Sequence, residues 1–273
     1  MRRWRRRPLP GVEGRWAKDR RPGPIHVHGL GINPKDGLFV ATHTGLFRAP
    51  EGERRARRVA NRFQDTMGFT VVGPNRFLGS GYPDGREKLP PFLGLIESRD
   101  AGRTWKPISL LGKRDFHVLE ATGERIYGFG SDFETKNAGL LVSDDGGQSW
   151  AERKPPEGLV SLAIDPDDPN RIAVSGERRL YVSDDAGRRW RPLDREASLL
   201  AWPATGRLFA VASDGTVAQS GEGGRSWRDV GQVGGQPAAF ESEGTDELYV
   251  ALHDGTIKRS TDGGASWSVQ STP

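Results

Sequence analysis

From residue 25 onward the chain alternates short apolar runs with clusters of glycine, proline, aspartate and asparagine. Residues 27–32, 38–42 and 45–48 form the first such group, and 159–164, 171–175 and 180–183 form another. Runs this short, bounded by turn residues, read as β-strands rather than helices. No apolar stretch is long enough to span a membrane as a helix.

The groups repeat. Five octets follow the third run of successive groups: SRDAGRTW at 98–105, SDDGGQSW at 143–150, SDDAGRRW at 183–190, SGEGGRSW at 220–227 and STDGGASW at 260–267. Their tryptophans, Trp105, Trp150, Trp190, Trp227 and Trp267, stand 45, 40, 37 and 40 residues apart. A fourth strand is expected to begin at each tryptophan. Four strands in about 40 residues is one propeller blade. A further group at 27–48 opens the array without its octet, and Ala56 occupies the tryptophan's place. The pattern predicts an all-β chain: a six-bladed β-propeller of four-stranded antiparallel blades, at about 25–62, 63–113, 114–156, 157–194, 195–233 and 234–273. Residues 1–24 are expected to be a poorly ordered basic arm, and 25–273 a single propeller.

The octets are Asp-box motifs, S-x-D-x-G-x-[S/T]-W, and on them the chain resembles Asp-box (BNR-repeat) propellers. Within that group, HVHGLGINPKDGLFVATHTGLFR, MGFTVVG, LGLIESRDAGRTW and ALHDGT are similar to bacterial proteins labelled glycosylhydrolase or exo-α-sialidase-like. Sortilin-type and photosystem II assembly-factor propellers resemble it more distantly. The resemblance covers residues 25–273 and implies an extracytoplasmic location. The octets themselves read as staples. A carboxylate (Asp100, Asp145, Asp185, Glu222 or Asp262) accepts bonds from turn amides, a glycine such as Gly147 supplies positive φ, and the tryptophan packs between blades. Arg189 at the hydroxyl position and Glu222 for the aspartate are substitutions a structural hairpin tolerates.

Composition narrows the chemistry. There are no cysteines, which removes disulfides and thiolates. The formal charge of +4 is small, and much of it sits in Arg2, Arg3, Arg5, Arg6 and Arg7 and in Arg54, Arg55, Arg57 and Arg58. The first run is followed by Pro8-Leu9-Pro10-Gly11 where a signal peptide needs an apolar segment, so it reads as a solvated tail. Nucleic-acid binding is not expected, because Trp4 is the one aromatic interleaved with those arginines.

Propeller topology places the octets, as turns between third and fourth strands, on one face. All five histidines map to the other. His26 and His28 start the first strand of blade one, and their i, i+2 spacing points both the same way. His43 ends the second strand of that blade, His253 ends the equivalent strand of blade six, and His117 lies at the head of blade three. Asp65, Tyr82 and Asp84 of blade two are expected to face the same mouth. Ring closure should bring His253 towards His43. His26, His28, His43 and His253 are therefore the candidate metal ligands. Neutral imidazoles beside a carboxylate suit Zn²⁺ or Cu²⁺, acid–base chemistry, or a small polar ligand. Two longer loops, at 82–91 and 131–138, are expected to wall this mouth.

The function these features point to is binding of a metal ion or small polar ligand at a histidine-lined channel mouth, with or without catalysis. An interaction scaffold that docks a protein partner is the alternative from another class. A glycoside hydrolase or lyase using histidine and aspartate is a third. True sialidase activity is not expected: Arg171-Ile172-Ala173 lies in blade four, and no R-I-P motif stands in blade one. The acidic run at 165–170 fits a turn better than a calcium loop.

Overall fold

A computed structural model describes residues 26–272; the arm expected at 1–24 lies outside them. The described residues form six sheets of four antiparallel strands, with each sheet contiguous in sequence. Blade one is β1 (Val27–Asn33), β2 (Gly37–Thr42), β3 (Gly45–Ala49) and β4 (Arg57–Arg58). Blade two is β5 (Asp65–Gly73), β6 (Arg76–Tyr82), β7 (Leu95–Ser98) and β8 (Lys106–Ser109), and blade three is β9 (Arg114–Thr122), β10 (Arg125–Asp132), β11 (Ala138–Ser143) and β12 (Ala151–Arg153). Blades four to six run β13 (Leu159–Ile164) to β16 (Arg191–Glu196), β17 (Ser198–Ala201) to β20 (Arg228–Gln232), and β21 (Pro237–Glu243) to β24 (Ser268–Ser271). In the five blades that carry an octet, the fourth strand starts one residue beyond its tryptophan. Among the described residues no helix is long and apolar enough to cross a membrane.

The second strands explain why the apolar runs lack a polar face. Leu38 and Val40 of β2 pack towards blade six, whereas Phe39 and Ala41 pack towards blade two. A strand buried on both sides reads as a continuous apolar run. The same alternation yields one apolar cluster at each of the six blade interfaces. There is no central core: each blade is held by its two neighbours.

The octets close the outer end of these interfaces. In 143–150, Asp145 Oδ1 accepts from the Ser149 amide at 2.9 Å and Oδ2 from the Ser149 hydroxyl at 2.6 Å, while the Gly147 amide donates to Ser143 Oγ at 2.8 Å. In 183–190 the Arg189 Nε replaces the hydroxyl, donating to Asp185 Oδ2 at 2.7 Å. The longer Glu222 retains only a 3.3 Å bond from Ser226 Oγ. The tryptophans are half-buried and lie across the rims of the clusters, so they cap the interfaces from outside.

Ring closure joins blade six to blade one without exchanging a strand. The Val27–Leu30–Val40 side of blade one packs on Ala239, Tyr249, Ala251 and Ile257, and Ala56 packs against the same cluster where other blades use tryptophan. Thr272 donates its amide to the Arg54 carbonyl at 2.8 Å, and Arg259 reaches Glu51 at 3.4 Å.

Candidate functional site

The innermost strands carry a device that alternation alone does not predict. In blades one, three, four and six the pairing with the second strand slips near the head of the first, leaving His28, His117, Val160 and Ala238 as extra residues. In blade two the slip takes in Met67 and Gly68. A β-bulge re-aims a side chain and bends the strand. All four bulge residues, with Met67, line one axial cavity of about 80 Å³. Two glycines permit this: a Cβ at Gly81 would overlap the Asp65 carbonyl, and one at Gly130 would overlap the Asp115 carbonyl.

At the cavity's mouth, blades one and two meet. His43 Nδ1 lies 2.9 Å from Asp65 Oδ2, and His28 Nε2 lies 3.6 Å from Asp65 Oδ1. The ring centroids of His28 and His26 are 5.7 and 5.9 Å from that of His43. The ligand-capable atoms of His28, His43 and Asp65 all lie within 4.8 Å of one another. His28 Nε2 and Asp65 Oδ1 are both buried without a hydrogen-bond partner. His26 and His28 both approach His43, but not through plain alternation: His28 is bulged and His26 has a left-handed φ of 53°.

A second group adjoins it from blade three. Asp115 is wholly buried; its Oδ2 lies 3.0 Å from His117 Nε2, and its charge also acts on the Tyr82 hydroxyl. Asp65 and Tyr82 are register partners across β5 and β6, so the two groups share a wall. Asp115 Oδ1 is likewise buried without a partner. Three such atoms, on His28, Asp65 and Asp115, leave unsatisfied polar valence around the mouth.

The electrostatics follow from burial. His28 is held down to about 4, first by desolvation and then by the neighbouring imidazoles, so it is neutral at pH 7. Asp65 is pushed up to about 6, chiefly by desolvation, with the Asp115 carboxylate adding to it and His43 opposing. His117 is raised by its bond to Asp115. Burial and Asp115 push the Tyr82 hydroxyl up to about 12.

His253 is not brought into this group. It is exposed beyond β22 (Glu247–Leu252), and among the described residues no ring contact or ion pair joins it to His26, His28 or His43. Its backbone does match that of His43: the His253 amide donates to the Gln236 carbonyl at 3.0 Å, as that of His43 does to His26 at 3.2 Å. His43 is drawn inward by Asp65 at the head of the following blade. The counterpart of Asp65 ahead of His253 is His26, whose ring instead packs on His43. Asp84 also faces elsewhere: Arg86 and the Phe63 amide hold it in the 82–91 loop. In 165–170, Asp165 accepts from the Asp167 amide at 3.0 Å, as the turn reading expects.

Three channel residues escape sequence reading. Asp115 has one signal, its i, i+2 spacing to His117. Glu120 and Glu241 are half-buried on the inner strands of opposite blades, three and six, and line the channel below the histidines. Burial and Glu241 raise Glu120 well above the carboxylate range, and burial pushes Glu241 up to about 7. Their signal was an acidic residue inside otherwise apolar or small stretches, VLEAT and AFESE.

No family model matches this chain. A 104-residue stretch is 30% identical to the dispase autolysis-inducing protein of Streptomyces mobaraensis, covering 38% of this chain and about a quarter (26%) of that protein. Among solved structures, the gluconolactonase of Xanthomonas campestris superposes with a TM-score of 0.64 at 14% identity, over 84% of this chain and 83% of that one. YCF48 from Cyanidioschyzon merolae gives 0.52 at 14%, over 92% and 86%. The GH74 xyloglucanase of Xanthomonas campestris gives 0.56 at 19%, over 90% of this chain and 45% of that one. At these identities the likeness is one of fold, and it spans hydrolases and other propellers alike. The chain is a six-bladed, four-stranded β-propeller with structural neighbours among the YCF48, GH74 and gluconolactonase propellers.

Proposed function

We propose that the channel mouth binds a divalent transition-metal ion, Zn²⁺ or Cu²⁺, through His28, His43 and Asp65, with His26 within reach as a fourth donor. The observation that carries this reading is the pair of buried, unpartnered atoms, His28 Nε2 and Asp65 Oδ1, 3.6 Å apart. That separation is too long for a hydrogen bond and close to the spacing of two donors on one tetrahedral ion, roughly 3.3–3.5 Å for bonds of about 2.1 Å. Ring centroids 5.7 and 5.9 Å apart likewise suit imidazoles that share an ion. Neutral imidazole is the ligating form, and His28, held down to about 4 by burial, is neutral at pH 7.

Asp115 and His117 form the wall beside this donor set. A bound ion would supply Lewis acidity and an open position for a small polar ligand. His117, bonded to Asp115, stands where it exchanges a proton with such a ligand. The octets are read here as Asp-boxes with a structural role, supported by their hydrogen bonding and by their place away from the mouth.

The test is metal analysis followed by calorimetry on chelator-treated protein. One equivalent of Zn²⁺ or Cu²⁺ should bind with a Kd of about 1 μM or below, and His28→Ala and Asp65→Ala should each abolish it while the fold persists. Protein that takes up neither ion, before or after stripping, overturns the reading and leaves the interaction scaffold as the better one.

A further inference from the structure

Beside the mouth, the two long loops build an apolar shelf. Tyr82 meets Phe92 edge-to-face at 5.6 Å, and Phe92 meets Phe133 in the same way at 5.3 Å. Five large hydrophobic residues are exposed among those described, and three of them are here: Tyr82 at 37%, Leu89 at 38% and Phe133 at 39%. A fourth, Val160, lines the channel mouth on the same face.

The shelf is preformed. Phe92 accepts from the Gly112 amide at 2.7 Å, and Leu93 donates to the Gly81 carbonyl at 2.9 Å. Phe133 donates its amide to the Lys113 carbonyl at 2.8 Å. Its loop is knotted by Asp132, whose Oδ1 accepts from the amides of Glu134 and Thr135 at 3.1 and 2.8 Å. Lys136, held at a φ of 61°, sets its ammonium 4.0 Å above the Phe133 ring. Two exposed rings, Tyr82 and Phe133, ordered in advance against the buried Phe92, lower the entropic cost of docking a flat ligand.

The charges around it are one-sided. Arg62, Arg86 and Arg114 are matched by Glu87, Asp84 and Asp132. Among the described residues no ion pair is formed by Lys88, Lys113 or Lys136, against one unpaired exposed acid in these loops, Glu134. An uncovered aromatic surface fringed by excess ammonium groups complements a planar ring that carries negative charge.

We infer that this shelf binds a small aromatic carboxylate, its ring against the exposed Tyr82 and Phe133 that Phe92 supports from beneath, its carboxylate towards Lys136, and its far edge directed to the channel mouth. Tyr82 connects the two regions, since its ring meets Phe92 of the shelf and its backbone pairs with Asp65 at the mouth. The shelf contains no metal ligand, so the inference stands apart from the metal reading.

The experiment measures binding of 2-naphthoate to chelator-treated protein by calorimetry and saturation-transfer NMR. Matched neutral and cationic probes, 2-naphthalenemethanol and 2-naphthylmethylamine, are run beside it. Naphthoate should bind saturably, about tenfold tighter than the alcohol and more than that over the amine, since one close charge contact is worth about a factor of ten. Phe133→Ala and Lys136→Gln should each weaken naphthoate about five- to tenfold, with the lysine change erasing the preference over the alcohol. Val269→Ala, on exposed β24, should change nothing, and thermal melts check that each variant is folded. Absence of saturable binding, equal affinity for the three probes, or unchanged affinity in both shelf variants overturns the inference.

Discussion

His43 Nδ1 lies 2.9 Å from Asp65 Oδ2 across the seam between blades one and two. His43 follows the second strand of one blade and Asp65 opens the first strand of the next, so only the packing of the two sheets makes them neighbours. The bond orients the imidazole and leaves Nε2 turned away from the carboxylate. The second oxygen, Oδ1, remains unpartnered and faces His28. A carboxylate that orients one histidine while keeping a free oxygen near another is an economical metal site.

Asp65→Asn separates these two roles. The amide oxygen still accepts from His43, so the ring keeps its orientation, but the anionic ligand is lost. Zn²⁺ affinity should fall by about 100-fold or more, with the thermal midpoint of the metal-free protein unchanged or raised. Calorimetry and a melting curve on the same sample check this. Equal affinity in the variant would remove Asp65 from the donor set.

The apo site should titrate backwards. His28, held at about 4, refuses a proton that the unfolded chain accepts near 6.5, so it costs stability as pH falls from 6.5 towards 4. Asp65 has the opposite sign. From 3.8 up to about 6 the folded protein keeps a proton that the unfolded chain has lost, so stability declines as pH rises through that window. NMR of selectively labelled protein should show the His28 ring unchanged between pH 8 and 5, and the Asp65 carboxyl with a midpoint near 6. A His28 midpoint near 6.5 would mean that the mouth is wetter than its geometry implies.

Glu120 and Glu241 should make the propeller weaker in base. Both are raised, so each stabilises fully below the ordinary 4.5 and loses that contribution as pH rises through its folded value, about 7 for Glu241. Glu241→Gln should therefore melt higher than the parent at pH 8 and alike at pH 4. A melting-temperature series from pH 4 to 9 decides it. A variant that melts lower at pH 8 would show that the carboxylate is held by a partner rather than merely walled in.

The octets should matter to stability alone. Trp150→Ala removes a half-buried ring from the interface of blades two and three, together with its bond to Ser109 Oγ at 3.0 Å. It should cost about 2–3 kcal/mol in urea unfolding, less than a fully buried tryptophan because one side is already wet. Metal and naphthoate affinities of the folded variant should match the parent. Loss of either without loss of stability would place chemistry on the octet face.

By itself the sequence determined the architecture. The octets recur at 37 to 45 residues because each blade ends in the same hairpin, and a local hairpin needs only local residues. The second strands could be read as doubly buried because Leu38–Val40 and Phe39–Ala41 serve two different neighbours, which leaves no polar position between them. From that topology the face bearing His26, His28, His43, Asp65, Tyr82 and His117 follows, since strand ends are fixed once the strands are.

What the tertiary structure alone decided is which of those residues meet. His28 and His117 enter the channel because bulges opposite the second strands interrupt the two-residue period, and a bulge is set by cross-strand pairing that no single run encodes. His43 pairs with Asp65 of the next blade, whereas His253, at the equivalent and equally exposed position, has His26 rather than a carboxylate ahead of it. Asp115, Glu120 and Glu241 gather on the inner strands only when six blades close around an axis. Burial then raises both glutamates, with the charge of Glu241 adding to the shift of Glu120, and Asp115 Oδ1 is left buried without a partner. Those forces depend on distances across the ring, and the order of residues along the chain does not carry them.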